Sequence, residues 1–212
     1  MVLKTNITFL FLIIFRLSAF SQVTDSLVDA RDGKVYKTVK IGSQIWMAEN
    51  LNFVTDTGSI CYDNQPSNCK VYGRLYVWEV AKRVCPDGWH LPSDNEWQML
   101  EEFIGMPENE LNIIGYRGGK NNVAGKLKSK ANWNSSGNLV YDDIGFNALP
   151  AGNYGFHENI FGLLNCNAFF WTSTSYKDNF AWNRDIGYTD NTIFRSQKFK
   201  RVGFSVRCVK NE

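Results

Sequence analysis

Two histidines and five cysteines, set among scattered carboxylates, are what this 212-residue chain offers for acid–base, nucleophilic or metal chemistry, and their spacing decides what they can do. His90 stands in Trp89-His90-Leu91-Pro92 and His157 in a stretch rich in Gly and Asn, so the paired imidazoles of a zinc hydrolase are absent. His90 reads as a core histidine with a hydrogen-bonded ring rather than as a catalytic base. There is no Gly-x-Ser-x-Gly elbow to present a serine. There is no Cys-x-x-Cys either, which argues against both a zinc site and thioredoxin-like exchange. Gly115-Tyr116-Arg117-Gly118-Gly119-Lys120 has the glycines of a phosphate loop, but Asn121 stands where a magnesium-holding Ser or Thr is needed and no apolar strand precedes it. It reads as a surface loop. No catalytic residue, metal ligand or cofactor is expected.

The compartment sets the meaning of the cysteines. Lys4 precedes the apolar run Ile7 to Phe15, too short to span a bilayer but right for the core of a signal peptide. Ala19 and Ser21 then suit positions −3 and −1, which predicts residues 1–21 as a signal peptide, cleavage after Ser21 and a mature chain from Gln22. No cysteine follows to carry a lipid anchor at that site. In an oxidising compartment disulfides are the default use of cysteine. Cys61 and Cys69 close a polar loop whose Asp63-Asn64 and Pro66-Ser67 are turn formers, so a staple is useful there.

Without Lys4 and Arg16 the chain carries 21 basic and 21 acidic side chains, which gives no bulk electrostatic case for nucleic acid or an anionic membrane. The mature chain is expected to contain no membrane span. With 44% hydrophobic and 15% aromatic residues, a sizeable, aromatic-rich core is expected. Residues 22–31 read as a polar lead-in and 32–211 as a single domain.

Val35, Val39 and Ile41 alternate with Tyr36, Thr38 and Lys40, and Gly42-Ser43 turns the chain into Gln44 to Ala48, a β-hairpin. Leu75 to Val84 reads as a short helix. Ser93 and Glu96 form a capping box for a second helix with Trp97, Leu100, Phe103 and Ile104 on one face; Gly105 and Pro107 end it. A short helix is also expected around Val123 to Lys130. Strand-like runs follow at Phe146 to Ala151, Ala168 to Ser173, Phe180 to Ile186, Ile193 to Phe199 and Val202 to Val209; in the last, Val202, Phe204, Val206 and Cys208 share a face. The class is α+β, with short helices and antiparallel strands. The late basic residues Arg195, Lys198, Lys200, Arg201, Arg207 and Lys210 read as exposed strand positions that discourage edge pairing.

Five ordered motifs carry a resemblance. Gly33-Lys34-Val35-Tyr36 through Ile45-Trp46-Met47-Ala48-Glu49-Asn50-Leu51, Cys85-Pro86-Asp87-Gly88-Trp89-His90-Leu91-Pro92 with Ser93 to Trp97, Gly145 to Gly152, Phe170 to Thr174 and Phe204 to Val209 resemble the Fibrobacter succinogenes major paralogous domain. That resemblance implies an exported bacterial surface or secreted domain whose biochemical activity is not established. The Leu-Pro-Ser-x-x-Glu-Trp and Gly-Phe-Ser-Val-Arg segments are also similar to formylglycine-generating-enzyme-type domains, which implies a C-type-lectin-like fold. The catalytic cysteine pair of those enzymes has no counterpart here, so their activity is not carried over. In a lectin-like fold an early element is joined to the last strand, which implies a Cys85–Cys208 disulfide and leaves Cys166 over, as a buried thiol, an intermolecular bridge or an alternative partner. Sugar-binding C-type lectins ligate calcium through motifs from which Gln65-Pro66-Ser67 lacks the acid and Trp182-Asn183-Arg184-Asp185 departs by an inserted arginine, so calcium-dependent sugar binding is not expected. No spacing rule supports calcium at Asp142-Asp143.

The expected function is a non-catalytic binding or interaction module for a surface polysaccharide or protein partner. The residues least explained by packing lie in 175–191, namely Tyr176, Asn179, Trp182, Asn183, Tyr188, Asp190 and Asn191, which can stack on or hydrogen-bond to a ligand. Trp182 also fits a core position, since Phe180, Trp182 and Ile186 share a face. The Cys61–Cys69 loop, 115–138 and 153–167 are the other candidate surfaces. The alternatives are an enzyme of formylglycine-generating type with altered catalytic residues, and a structural subunit of a surface assembly.

Overall fold

A computed structural model of the chain describes residues 24–134 and 144–212. The predicted signal peptide and the Asp142-Asp143 pair lie outside the described residues. The chain opens with three strands, β1 (Thr24–Val28), β2 (Val35–Ile41) and β3 (Gln44–Met47). Two short strands, β4 (Ser59–Ile60) and β5 (Leu75–Tyr76), flank helix α1 (Pro66–Tyr72); α2 (Trp78–Ala81), β6 (Trp89–His90) and α3 (Asp94–Phe103) follow. Next come β7 (Gly115–Arg117) and α4 (Val123–Leu127). The second half is β8 (Ala151–Gly155), β9 (Ile160–Leu164), β10 (Asn167–Lys177), β11 (Phe180–Gly187), β12 (Ile193–Phe199), β13 (Val202–Gly203) and β14 (Val209–Lys210).

This is a mixed fold of few helices and mostly antiparallel strands. One sheet has the order β1-β2-β3-β14-β6, so the last strand is inserted between early ones, with Val209 opposite both Trp46 and His90. The larger sheet runs β13-β8-β10-β11-β12-β7, with β9 on β8. Strand β10 divides the core by its period of two. Phe170 points into a cluster with Trp46, Trp97 and Phe146, whose ring centroids lie 5.1–5.9 Å apart. Phe169 and Trp171 point the other way, to Tyr76, Trp78, Phe204 and Cys208.

Both disulfides form, Cys61–Cys69 and Cys85–Cys208, the second beside the inserted last strand. The β2–β3 hairpin turns at Gly42, whose φ of +61° suits glycine and whose Cα is so close to the Phe103 ring that a Cβ would approach it to 3.1 Å. Ser93 caps α3 by accepting from Glu96 N while the Glu96 carboxylate accepts from Ser93 N, and Trp97 is fully buried.

Several expectations fail for local reasons. The 22–31 lead-in contains β1, which pairs with β2 along its whole length. Leu75 to Val84 is not one helix: Leu75 and Tyr76 pair with Ser59 and Ile60, and only Trp78–Ala81 is helical. The loop closed by Cys61 and Cys69 is largely helical, because Pro66 sits at a helix start where its missing N–H costs nothing. The Phe146 to Ala151 run is extended only from Ala151, since Asn147 adopts φ 55° and Pro150 follows. Val35 is exposed and Tyr36 buried, so the hairpin faces the core with the ring. Phe103 is half-exposed rather than part of the Trp97 stripe. Arg117 is not on a surface loop, and Arg195 and Arg207 are not exposed; all three are buried.

Candidate functional site

The β11–β12 ribbon has two faces of opposite character. Arg184 pairs with Arg195 and Asp185 with Phe194, and β7 extends the second row with Tyr116 opposite Phe194. Neighbours in register point to the same side, so the arginines share one face and the row Asp185, Phe194, Tyr116 the other.

The arginine face is closed by α3. Arg184 bridges Asp94 at 2.7 Å and Glu101 at 2.5 Å, Arg195 reaches Asp94 at 2.7 Å, and Arg117 reaches Glu101 at 2.9 Å. Burial acts to raise the Asp94 carboxyl, but the guanidiniums of Arg195 and Arg184 outweigh it and hold it below its ordinary value. Trp182 lies over Arg195, with the guanidinium carbon 3.7 Å from the ring centroid, and Tyr176 meets Trp182 edge-on at 5.1 Å. The network is engaged and excluded from solvent, so its role is to hold helix to sheet. Arg207 is likewise internal, donating to Asn50 Oδ1 at 2.6 Å and to the carbonyls of Phe146 and Asn147 at 2.5 and 2.7 Å.

The second face lies open past β11. Beneath β10 it is covered by the Tyr76–Trp171 cluster, but from Asp185 outward it borders a shallow cleft of about 100 Å³. Asp185 accepts one hydrogen bond, from Asn167 Nδ2 at 2.7 Å. Burial pushes its carboxyl up to about 6, with the Asn167 bond and Lys198 acting against the rise and Asp190 adding to it. Phe194 and Tyr116 form a ring pair with centroids 4.6 Å apart, and Tyr116 is 71% exposed. Asp190 closes the far wall by accepting from Thr192 N at 2.8 Å and from the Thr192 hydroxyl. Behind it Lys128, fully buried, donates to the Asp190 carbonyl at 2.6 Å; burial lowers its ammonium to about 8. A partly desolvated carboxylate, an amide and hydroxyls beside an accessible aromatic pair can hydrogen-bond a polyol edge and stack on its apolar face.

The seven residues singled out in 175–191 do not converge. Tyr188 and Asp190 line this cleft. Asn191 lies behind it, its carbonyl accepting from Ala124 N at 3.1 Å. Tyr176 and Asn179 sit at the β10–β11 tip, about 15–20 Å from Asp185 along the strand, and Trp182, about 10 Å from Asp185, faces the other side of the sheet over Arg195. Asn183 is fully buried and accepts from the Ser196 hydroxyl at 2.9 Å, so it does not face a ligand. Tyr116, Asn167 and Asp185 fall within the candidate surfaces 115–138, 153–167 and 175–191 without having been singled out, and Phe194 lies outside them, although the alternation of Asn183, Asp185 and Gly187 about the β11–β12 turn was a usable signal.

His90 is not a core residue. Its half-exposed ring meets Glu96 Oε1 at 2.7 Å and Asn211 Oδ1 at 2.6 Å, which fixes the capping carboxylate of α3 and the C-terminal segment. Cys166 is a free, partly buried thiol with Asn134 Nδ2 at 3.2 Å. Among the described residues no three His, Cys, Asp or Glu side chains gather as a metal site requires, and no helix is long and apolar enough to cross a membrane.

No curated protein and no solved structure matches the chain. Residues 39–210, which include the cleft and both disulfides, match the Fibrobacter succinogenes major domain family. The chain belongs to the Fibrobacter succinogenes major domain family.

Proposed function

We propose that this protein is an exported, non-catalytic binding module of the bacterial surface or secretome, with a C-type-lectin-like fold, and that it takes a saccharide in the cleft between β7, β11 and β12. The observation that carries the reading is the pairing of Tyr116 and Phe194 beside Asp185 and Asn167. Rings supply stacking area with little entropy to lose, and the carboxylate and amide accept from and donate to hydroxyls. The lectin-like fold is supported by a terminal strand inserted beside the opening hairpin and pinned by Cys85–Cys208. Export is supported by the two disulfides together with the N-terminal apolar run.

The test is a glycan array probed with the exported form, with and without a chelator. Binding that survives chelation and is lost in Tyr116→Ala supports the reading; calcium dependence would require a different site, and binding to no glycan would move the function to a protein partner. N-terminal sequencing should begin at Gln22, and an intact Met1 would contradict export.

A further inference from the structure

A second cleft, of about 450 Å³, opens at the other end of the ribbon, between the start of α2, the β10–β11 turn and the end of β12. Its walls include Val77, Asn179, Phe199, Lys200 and Arg201. Phe199 is 46% exposed and held against Phe180, with ring centroids 4.3 Å apart, so one aromatic ring is fixed at the cleft without being buried by the fold.

The cations around it differ in how they are used. Lys82 pairs with Glu79 at 3.0 Å and lies over the Trp78 ring at 4.1 Å. Lys200 donates to the Asp178 carbonyl at 2.9 Å and lies over the same ring at 4.3 Å. Arg201 makes no hydrogen bond or ion pair among the described residues; its guanidinium carbon is 5.3 Å from the Phe199 centroid. The cleft lining itself carries Lys200 and Arg201 against Glu79 and Asp178 and so no net charge; the cation there with no partner of its own among the described residues is a planar guanidinium next to an exposed ring.

We propose that this cleft binds a carboxylate-bearing saccharide, with Arg201 holding the carboxylate and Phe199 stacking on the sugar ring. A guanidinium matches a carboxylate in two parallel hydrogen bonds, which a lysine does not. Asn179 lines the same cleft and carries an amide suited to a hydroxyl. An acidic peptide is the weaker fit, because it needs several available cations and here Lys200 is already occupied and two carboxylates share the lining. This site is separate from the Tyr116–Asp185 cleft and stands or falls without it.

The experiment titrates the intact chain with trigalacturonate and with its methyl ester, in wild type, Arg201→Gln, Phe199→Ala and Tyr116→Ala. The acid should bind at least about tenfold more tightly than the ester, as expected when a charge-assisted bidentate pair is removed. Binding of the acid should be lost in Arg201→Gln and Phe199→Ala at unchanged thermal midpoint and retained in Tyr116→Ala. Equal affinity for acid and ester, undiminished binding in Arg201→Gln, or no binding of the acid would each overturn the proposal. So would tighter binding of a polyglutamate peptide, which would make the cleft a protein contact.

Discussion

Arg184 and Asp185 are neighbours on one strand and face opposite fates. The guanidinium of Arg184 turns inward, where α3 presents Asp94 and Glu101, and every charge there meets an opposite one inside the fold. The carboxylate of Asp185 turns to the other side of the sheet, where among the described residues it accepts from a neutral amide and the next residues in the row are the paired rings of Phe194 and the exposed Tyr116. The difference teaches where to look for function: a buried charge paired with an opposite one inside the fold is scaffold, whereas a desolvated charge with room beside it is kept at a cost to stability and marks a place to bind.

The closed side should be the costly one to disturb. Cys85→Ala opens a loop of 123 residues' separation and should lower stability by about 5 kcal/mol, against about 2–3 for Cys61→Ala, where the separation is 8. Thermal midpoints of the two variants compare them, and equal losses would contradict the chain-entropy account. Arg184→Met leaves each buried carboxylate one guanidinium, Arg195 on Asp94 and Arg117 on Glu101, but removes the hydrogen bonds that join the two pairs and should cost about 1.5–3 kcal/mol in denaturant unfolding. A loss below about 1 kcal/mol would show the network to be tolerant of an apolar replacement, and the contrast between the faces would then fail.

The open side should behave in the reverse sense. Because the Asp185 carboxyl is raised from 3.8 to about 6 by burial, the folded protein binds more protons than the unfolded chain between those values, and the stability this group confers in acid is lost as pH rises through about 6. Asp185→Asn keeps an acceptor for Asn167 and removes the charge. It should therefore stabilise the protein by about 1–3 kcal/mol at pH 7.5 and have no effect below the unfolded value. Unfolding free energies at the two pH values check this, and a destabilised variant at pH 7.5 would mean the carboxylate has a cationic partner. Tyr116→Ala should change stability by no more than about 0.5 kcal/mol, since the ring is 71% exposed.

What was legible in the sequence was local. The Ser93–Glu96 cap, the turn at Gly42 and the short Cys61–Cys69 staple are encoded within a few residues, and each forms. The strand runs from Ala168 to Phe199 were legible because aromatic and β-branched residues recur within each over its own length. The ion network was not, because Arg184 and Arg195 meet Asp94 across 90 and 101 positions, and a charge without its partner in view reads as exposed. The cleft was hidden for the same reason. Tyr116 meets Phe194 only through the β7–β12 register, and Asn183 and Asp185 share a face but not a neighbourhood, one covered by the second core cluster and the other beyond its edge. Tyr188 and Asp190 were found from composition alone; the grouping with Tyr176 and Asn179 failed because the two ends of a hairpin strand are close in number and distant in space.

The measurement closest to the central claim is a titration of a neutral glycan selected on the array into wild-type chain, Tyr116→Ala and Tyr176→Ala, with thermal midpoints recorded for each. The open face of the β7–β11–β12 sheet is the seat if Tyr116→Ala abolishes binding at unchanged midpoint while Tyr176→Ala binds as wild type does. Retained binding in Tyr116→Ala together with loss in Tyr176→Ala would place recognition at the hairpin tip and contradict the account.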